Sequence, residues 1–386
     1  MPCRTSLPVH ALQREDTMHA KELWVERANL RHTKVVERQL APLQDGEVLV
    51  KIDKFGLTAN NVSYAISGDL IGYWKYYPAE GEWGKVPVWG FGNVVESRCA
   101  DIPVGERMWG FFPMATHAVL KPGKVHPHQF TDVSEHRQPL PGLYNDFMRT
   151  NNDPAPMKQM EDARCVLFPL FATSYVLYDY LVANNFFGAT QVIVGSASSK
   201  TGFGLAHLLH HDKAAGQHVV GLTSPSNVAF VKDLKVCDQV VTYDALFSID
   251  ATKPTAFVDM AGSGAVLTAL HHHIGDNMKE SCIVGATHWE SDRNRGDLPG
   301  AKPAFFFAPA HIGKRNKEWG PGVLIGKAMA AGAKITASIA GQFEIDKLRG
   351  PAAVEKTFVD LVNNQVPPSR GLLLSMQEDA GGDNRS

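Results

Sequence analysis

The sequence predicts an α/β protein: a β-rich unit followed by a doubly wound parallel sheet. Three observations carry this. The first third holds short period-two stretches, clearest over residues 47–53. From residue 191 onward, short apolar runs alternate with helical stretches, as buried parallel strands do. After residue 335 the β-like segments return.

Taken in order, residues 1–20 read as a flexible polar arm, without the basic start and continuous apolar core of a signal peptide. Strands are expected at Leu23–Val25 and Val35–Val36, and again after the Asp45-Gly46 turn. Residues 56–90 are rich in glycine and aromatics, among them Tyr64, Tyr73, Trp74, Tyr76, Tyr77, Trp83 and Trp89. Further β segments fall near Asn93–Ser97 and Thr116–Leu120. A long apolar helix covers Cys165–Ala183. Strands then fall at 191–195, 218–222, 239–243, 257–260 and 282–286, with helices at 226–235, 264–274 and 323–332. Ile335–Ile339 and Gly371–Leu374 read as strands flanking a helix over 352–364, and the tail after Gln377 is polar.

A chain of 386 residues suits about two domains. The expected division is 21–165 plus 335–386 for one and 166–334 for the other. With 44% hydrophobic and 20% charged residues, disorder is excluded as the main state. A net charge of -2 argues against a nucleic-acid partner. No apolar run reaches the ~18 residues that span a bilayer, so no membrane partner is expected. Five cysteines, at 3, 99, 165, 237 and 282, are odd in number and lack ligand spacing. They point to a reducing cytoplasm and to no bound metal.

Gly195-Ser196-Ala197-Ser198-Ser199-Lys200-Thr201-Gly202 is the most informative stretch. Small residues between a buried strand and a helix let a ligand approach the backbone, and free amides at the helix start favour phosphate. The loop is neither a clean GxGxxG nor a P-loop. Ser196, Ser198, Ser199 and Thr201 add hydroxyls and Lys200 a charge. A tight strand–helix turn would use the same small residues. At the end of the next strand, Gly221–Asn227 holds no acid to bind ribose hydroxyls. Thr223, Ser224 and Asn227 would instead donate to a 2′-phosphate, with Lys200 or Lys232 neutralising it. NADP(H) is therefore favoured over NAD(H), although Ser224-Pro225-Ser226-Asn227 is also a good turn sequence.

The order of parts resembles the medium-chain dehydrogenase/reductase superfamily over about residues 22–375. Gly46–Ile52 and the segment Gly56–Gly68, with Asn60, Asn61 and Tyr64, are similar to the opening of its zinc-independent, quinone-oxidoreductase-like side. Val86–Glu96, Val104–Gly110 and Pro169–Tyr175 match later segments in the same order. The resemblance implies a GroES-like substrate domain and a Rossmann domain. The superfamily's zinc ligands are missing: Thr58-Ala59 and Gly90-Phe91-Gly92 stand near two of their places. Its glycine-rich phosphate loop is replaced by Ser198–Thr201, as in an uncharacterised branch with a Ser-Lys-Thr loop. The resemblance also implies cofactor contacts at Thr173, Ala261 and Ala286, and a homodimer.

Without zinc, hydride transfer still needs a group to stabilise negative charge on the acceptor. Tyr64 is the first candidate, with Asn60 beside it. Asn61, Tyr73, Tyr76 and Arg315 are candidates for the substrate side. The activity expected is NADPH-dependent reduction of a small-to-medium apolar carbonyl compound or enone. A non-catalytic NADPH-binding sensor or partner protein on the same fold is the alternative. Phe305–Phe307 reads as an edge strand suited to pairing two copies. His271–His273, adjacent at a helix end, point in different directions and suit the helix dipole better than a metal.

Overall fold

The computed structural model describes residues 18–212, 216–285 and 298–378. The first 17 residues of the expected arm lie outside these, and the chain is already in a strand at His19. The polar tail is described only as far as residue 378.

The first unit runs through β1 (His19–Glu26), β2 (Thr33–Gln39), β3 (Val48–Leu57), α1 (Ala59–Ile66), α2 (Gly68–Ile71), β4 (Trp83–Gly84), β5 (Pro87–Ser97), β6 (Arg107–Pro113), β7 (His117–Leu120), β8 (Pro122–Gly123), β9 (Gln129–Asp132) and β10 (Asp146–Arg149). Helices α3 (Ala155–Gln159), α4 (Glu161–Val166) and α5 (Phe168–Ala183) lead out of it. The second unit holds β11 (Gln191–Gly195), α6 (Lys200–His211), β12 (His218–Thr223), α7 (Val228–Asp233), β13 (Gln239–Thr242), β14 (Thr255–Asp259), α8 (Gly264–Ile274), β15 (Met278–Ile283) and β16 (Ala304–Phe305). Helices α9 (Ala308–Trp319) and α10 (Val323–Ser338) precede β17 (Glu344–Arg349), α11 (Pro351–Val362) and β18 (Arg370–Ser375).

The alternation read over residues 47–53 has a direct cause. Val48, Val50 and Ile52 are fully buried, and Lys51 between them is exposed. β3 lies inside a nine-stranded sheet ordered β17-β18-β3-β5-β6-β10-β9-β8, with β7 also pairing β3. β1, β2 and β4 form a small sheet of their own. The parallel sheet is ordered β13-β12-β11-β14-β15-β16. In the unit's own sequence that is three-two-one-four-five-six, the doubly wound order. β11 and β14 are buried at every residue, because helices cover both faces of the sheet. The strand order reverses between these two, the position at which doubly wound sheets carry a ligand crevice beyond the strands' C-terminal ends.

Two sequence readings are corrected here. Ile335–Ile339 is not a strand, since α10 runs on to Ser338. β-branched Ile335 suggested a strand, but it is fully buried on a helix face, and Gly332 lets that face reach Phe171 of α5. Phe305–Phe307 contributes only its first residue to an edge strand, because α9 starts at Ala308.

The chain then rejoins the first sheet. β17 and β18 pair in parallel through α11, and β18 lies antiparallel to β3 with Leu373 opposite Gly56. Beneath this junction Arg107 grips Glu161 at both oxygens (2.7 and 2.6 Å) and Asp53 (2.9 Å), tying β6, α4 and β3 together.

Candidate functional site

The loop after β11 sits at the crevice. A Cβ on Gly195 would come 3.0 Å from Phe257 and 3.1 Å from Asp259, so this glycine keeps β11 and β14 close. Ser196 follows in the left-handed region (φ 53). Its amide donates to the Tyr243 hydroxyl (3.2 Å), and the Ala197 amide donates to Leu222 (3.0 Å). Ser199 is the N-cap of α6 and accepts from the Gly202 amide (3.1 Å). The amides of Lys200 and Thr201 therefore stand at the helix start, where no intrahelical acceptor exists. Gly202 and Gly204 serve packing: a Cβ would lie 2.5 Å from Ser196 O and 2.5 Å from Ser174 Oγ respectively. Ser174 also donates to the Thr201 carbonyl (2.8 Å), so α5 touches the loop directly.

The expected 2′-phosphate donors do converge, but on one another. Ser198 Oγ accepts from Thr223 Oγ1 (3.2 Å) and from Asn227 Nδ2 (3.1 Å). Ser198 and Thr223 are buried, so mutual bonding is how they avoid a desolvation cost. Ser224 bonds Ser226 at the rim (3.1 Å).

Lys200 departs most from its expected role. Its ammonium donates to the carbonyls of Arg370 (2.8 Å) and Pro368 (3.3 Å) and lies 5.0 Å from the Phe343 ring centre. Burial pushes its pKa down to about 8. The Thr173 hydroxyl is likewise committed, donating to Pro169 (3.0 Å), and the Ala261 amide donates to Asp259 (2.9 Å). Ala286 lies outside the described residues.

The second half of the site is a cleft where α1 and the end of β3 meet α4 and α5. Gly56, Thr58, Asn60, Asn61, Tyr64, Trp89, Cys165, Val166, Pro169 and Leu170 line it. Gly56 is obligatory there, since a Cβ would lie 2.1 Å from the Cys165 carbonyl oxygen. Tyr64 is buried, and burial holds its phenol protonated well above the usual tyrosine range. The Trp89 and Asn60 side chains lie beside the phenol and partly oppose that shift. Trp89 stacks on Trp109 (4.5 Å between ring centres), giving the cleft a flat aromatic wall. Pro169 and Leu170 lie one turn before Thr173 and Ser174, so α5 links the cleft to the loop.

The remaining candidates have other work. Asn61 caps α1: its Oδ1 accepts from the Thr58 amide (2.8 Å), and its Nδ2 donates to Pro87 (2.9 Å). Tyr73 shares a hydrogen bond with Tyr144 (2.9 Å), and Tyr76 donates to Pro141 (3.0 Å), both within an aromatic cluster around Phe111. Arg315 is committed to ion pairs with Asp179 and Glu318. Asp179 of α5 accepts from its Nε (2.6 Å) and also binds His311 (2.7 Å), locking α9 to α5. His271 is buried between Ser281 (2.8 Å) and the Pro299 carbonyl (2.9 Å), a core position and not a solvated helix end.

The sequence also offers the aromatic loop 71–89 as a cleft lining, and of that loop Trp89 lines this cleft, whereas sequence reading missed Cys165, Val166, Pro169 and Leu170. Pro169 and Leu170 lay within the matched segment Pro169–Tyr175, and that was the available signal. Among the described residues, no three His, Cys, Asp or Glu side chains are grouped to hold a metal, and no helix is long and apolar enough to cross a membrane.

A doubly wound parallel sheet beside a β-rich unit that recovers the last strands is the architecture of the medium-chain dehydrogenase/reductase superfamily. The comparisons agree on fold. CurA from Vibrio vulnificus in complex with NADPH superposes with a TM-score of 0.60 at 13% identity, covering 93% of this chain and 99% of that one. The Etr1p/NADP/crotonyl-CoA complex does so at 0.54 and 14%, covering 93% and 100%. The quinone oxidoreductase from Coxiella burnetii reaches 0.51 at 14% identity, again covering 93% and 100%. No curated protein matches the sequence. The chain belongs to the family described as protein of unknown function (DUF2855), whose model matches residues 55–367.

Proposed function

We propose that the protein is a zinc-independent, NADPH-dependent reductase acting on a small-to-medium apolar carbonyl compound or enone. The observation that carries this is the continuity of the site. A protonated, enclosed phenol at Tyr64 faces a cleft that α5 connects to a helix start with open amides. The neighbours solved with NADPH or NADP add support for the cofactor.

The donor set fits a dinucleotide through its main chain. The amides of Lys200 and Thr201 would meet phosphate, Gly195 would admit the backbone closely, and Ser224 at the rim would face the ribose end. Bound there, the cofactor would supply hydride. Tyr64 would hold a hydrogen bond on the acceptor oxygen, flanked by Trp89 and Asn60. Its raised pKa suits a hydrogen-bond donor better than a full proton transfer. Trp89, Val166, Pro169 and Leu170 would exclude water. A homodimer joined near β16 and a cytoplasmic setting complete the reading.

A second reading has one specific observation behind it. Thr223 and Asn227 already bond Ser198, and Lys200 already bonds carbonyls, which suits a non-catalytic nucleotide sensor or partner protein. Absorbance at 340 nm with NADPH and paired ketones and enones separates the two. Turnover of either acceptor class supports the reductase. Tight binding with no loss of NADPH across the panel rejects it in favour of the sensor.

A further inference from the structure

Lys200 is the first residue of α6, at the mouth of the loop, yet its ammonium serves the opposite unit. Both acceptors, Pro368 and Arg370, sit at the start of β18, and no carboxylate among the described residues lies against the charge. An enclosed cation met only by carbonyls is costly to keep, so the contact calls for a role.

The acceptor segment touches the cleft at two points. Gly371 packs so tightly that a Cβ would lie 2.8 Å from Val166 and 2.7 Å from Phe343, the ring beneath Lys200. Leu373 is in register with Gly56, one residue before Leu57 and two before the N-cap of α1. Val166, Gly56 and Tyr64 all line the cleft. One short path therefore runs from the loop, through Lys200 and residues 368–373, to the candidate proton-holding helix.

We propose that Lys200 is a positioning residue that clasps α6 to Pro368–Arg370 and couples binding at the loop to the shape of the cleft. The proposal rests on reading that loop as the nucleotide site. It makes the lysine a coupling element and not a phosphate ligand.

Hydrogen exchange on the full chain, with and without NADPH, tests this in wild type, Lys200→Met and Lys200→Gln. In wild type, NADPH slows exchange at the loop and at residues 55–64. In Lys200→Met, exchange at 368–375 rises without nucleotide. NADPH still binds within about fivefold and protects the loop, but protection no longer reaches 55–64. Lys200→Gln keeps N–H donors without the charge and restores most of the lost protection.

Two results overturn the proposal. One is protection at 55–64 that survives in Lys200→Met. The other is an affinity loss of roughly 30-fold or more in both variants, which marks a charge contact to phosphate. Should wild type bind no NADPH, the nucleotide reading falls, and exchange without nucleotide judges the clasp alone. Unchanged exchange at 368–375 in Lys200→Met then rejects it. Should Lys200→Met fail to fold, Lys200→Ala, too short to reach Pro368 and Arg370, takes its place: lost protection at 55–64 that Lys200→Gln restores supports the clasp, and protection that survives in Lys200→Ala overturns it.

Discussion

The two ends of the site treat their polar groups in opposite ways. At the loop, the side chains that suggested phosphate binding are spent: Ser198, Thr223 and Asn227 bond each other, and Lys200 bonds carbonyls. At the cleft, the Tyr64 hydroxyl has no committed hydrogen-bond partner among the described residues and lies beside Trp89 and Asn60 in a narrow recess. The loop thus offers a ligand its backbone, while the cleft offers a side chain. Residue type alone tells little about availability, because a buried hydroxyl finds a partner wherever one is within reach.

This contrast can be broken at four points. The largest effect is expected from Lys200 and pH. Its folded pKa of about 8 lies below the ordinary 10.5, so the unfolded chain binds more protons between those values. Below pH 8 the full cost of enclosing the charge is present. As pH rises from 8 toward 10.5 that cost fades, and wild type gains on Lys200→Met by at most roughly 3 kcal/mol. Urea unfolding of both proteins across that range checks the slope, and parallel curves would refute it.

At the cleft, Tyr64→Phe should lower kcat/KM for a responding acceptor about 100-fold while changing stability little. Steady-state kinetics beside thermal melts would read both, and unchanged turnover would remove Tyr64 from the chemistry. Ser198→Ala should cost about 2 kcal/mol, because it strands two donors, one of them on fully buried Thr223. A neutral result in denaturant titration would mean that water replaces Ser198 and that the loop is less closed than described. Asn61→Ala should cost about 1 kcal/mol as a lost cap. Activity falling further than the stability loss explains would return Asn61 to the substrate side.

The architecture was legible because strand burial writes itself into the chain. β11 and β14 have apolar centres buried on both faces, and β3 alternates over Val50–Ile52. Helix α1 was not legible: Ala59–Ile66 is barely two turns and interleaves Asn, Ser and Tyr with its apolar residues, so too few repeats show its period. Tyr64 and Asn60 were named from a resemblance, and the structure places both in the cleft. The destination of Lys200 could not be read, because its acceptors are backbone carbonyls 168 and 170 residues away and carry no side-chain signature. The Arg315 ion pair was hidden for a related reason, since Asp179 lies on a helix far back in the chain.

The placement of β18 has a consequence for how the protein is made. It is inserted between β17 and β3, so a strand completed at residue 57 waits for a neighbour that begins at residue 370. During synthesis every strand of the parallel sheet, the last ending at Phe305, has emerged before β18, so that sheet can assemble ahead of the final pairing of the first one. The edge of β3, the floor of the cleft and the ammonium of Lys200 all stay open to solvent until the final strand leaves the ribosome. The cleft and the clasp are therefore completed in the same late event.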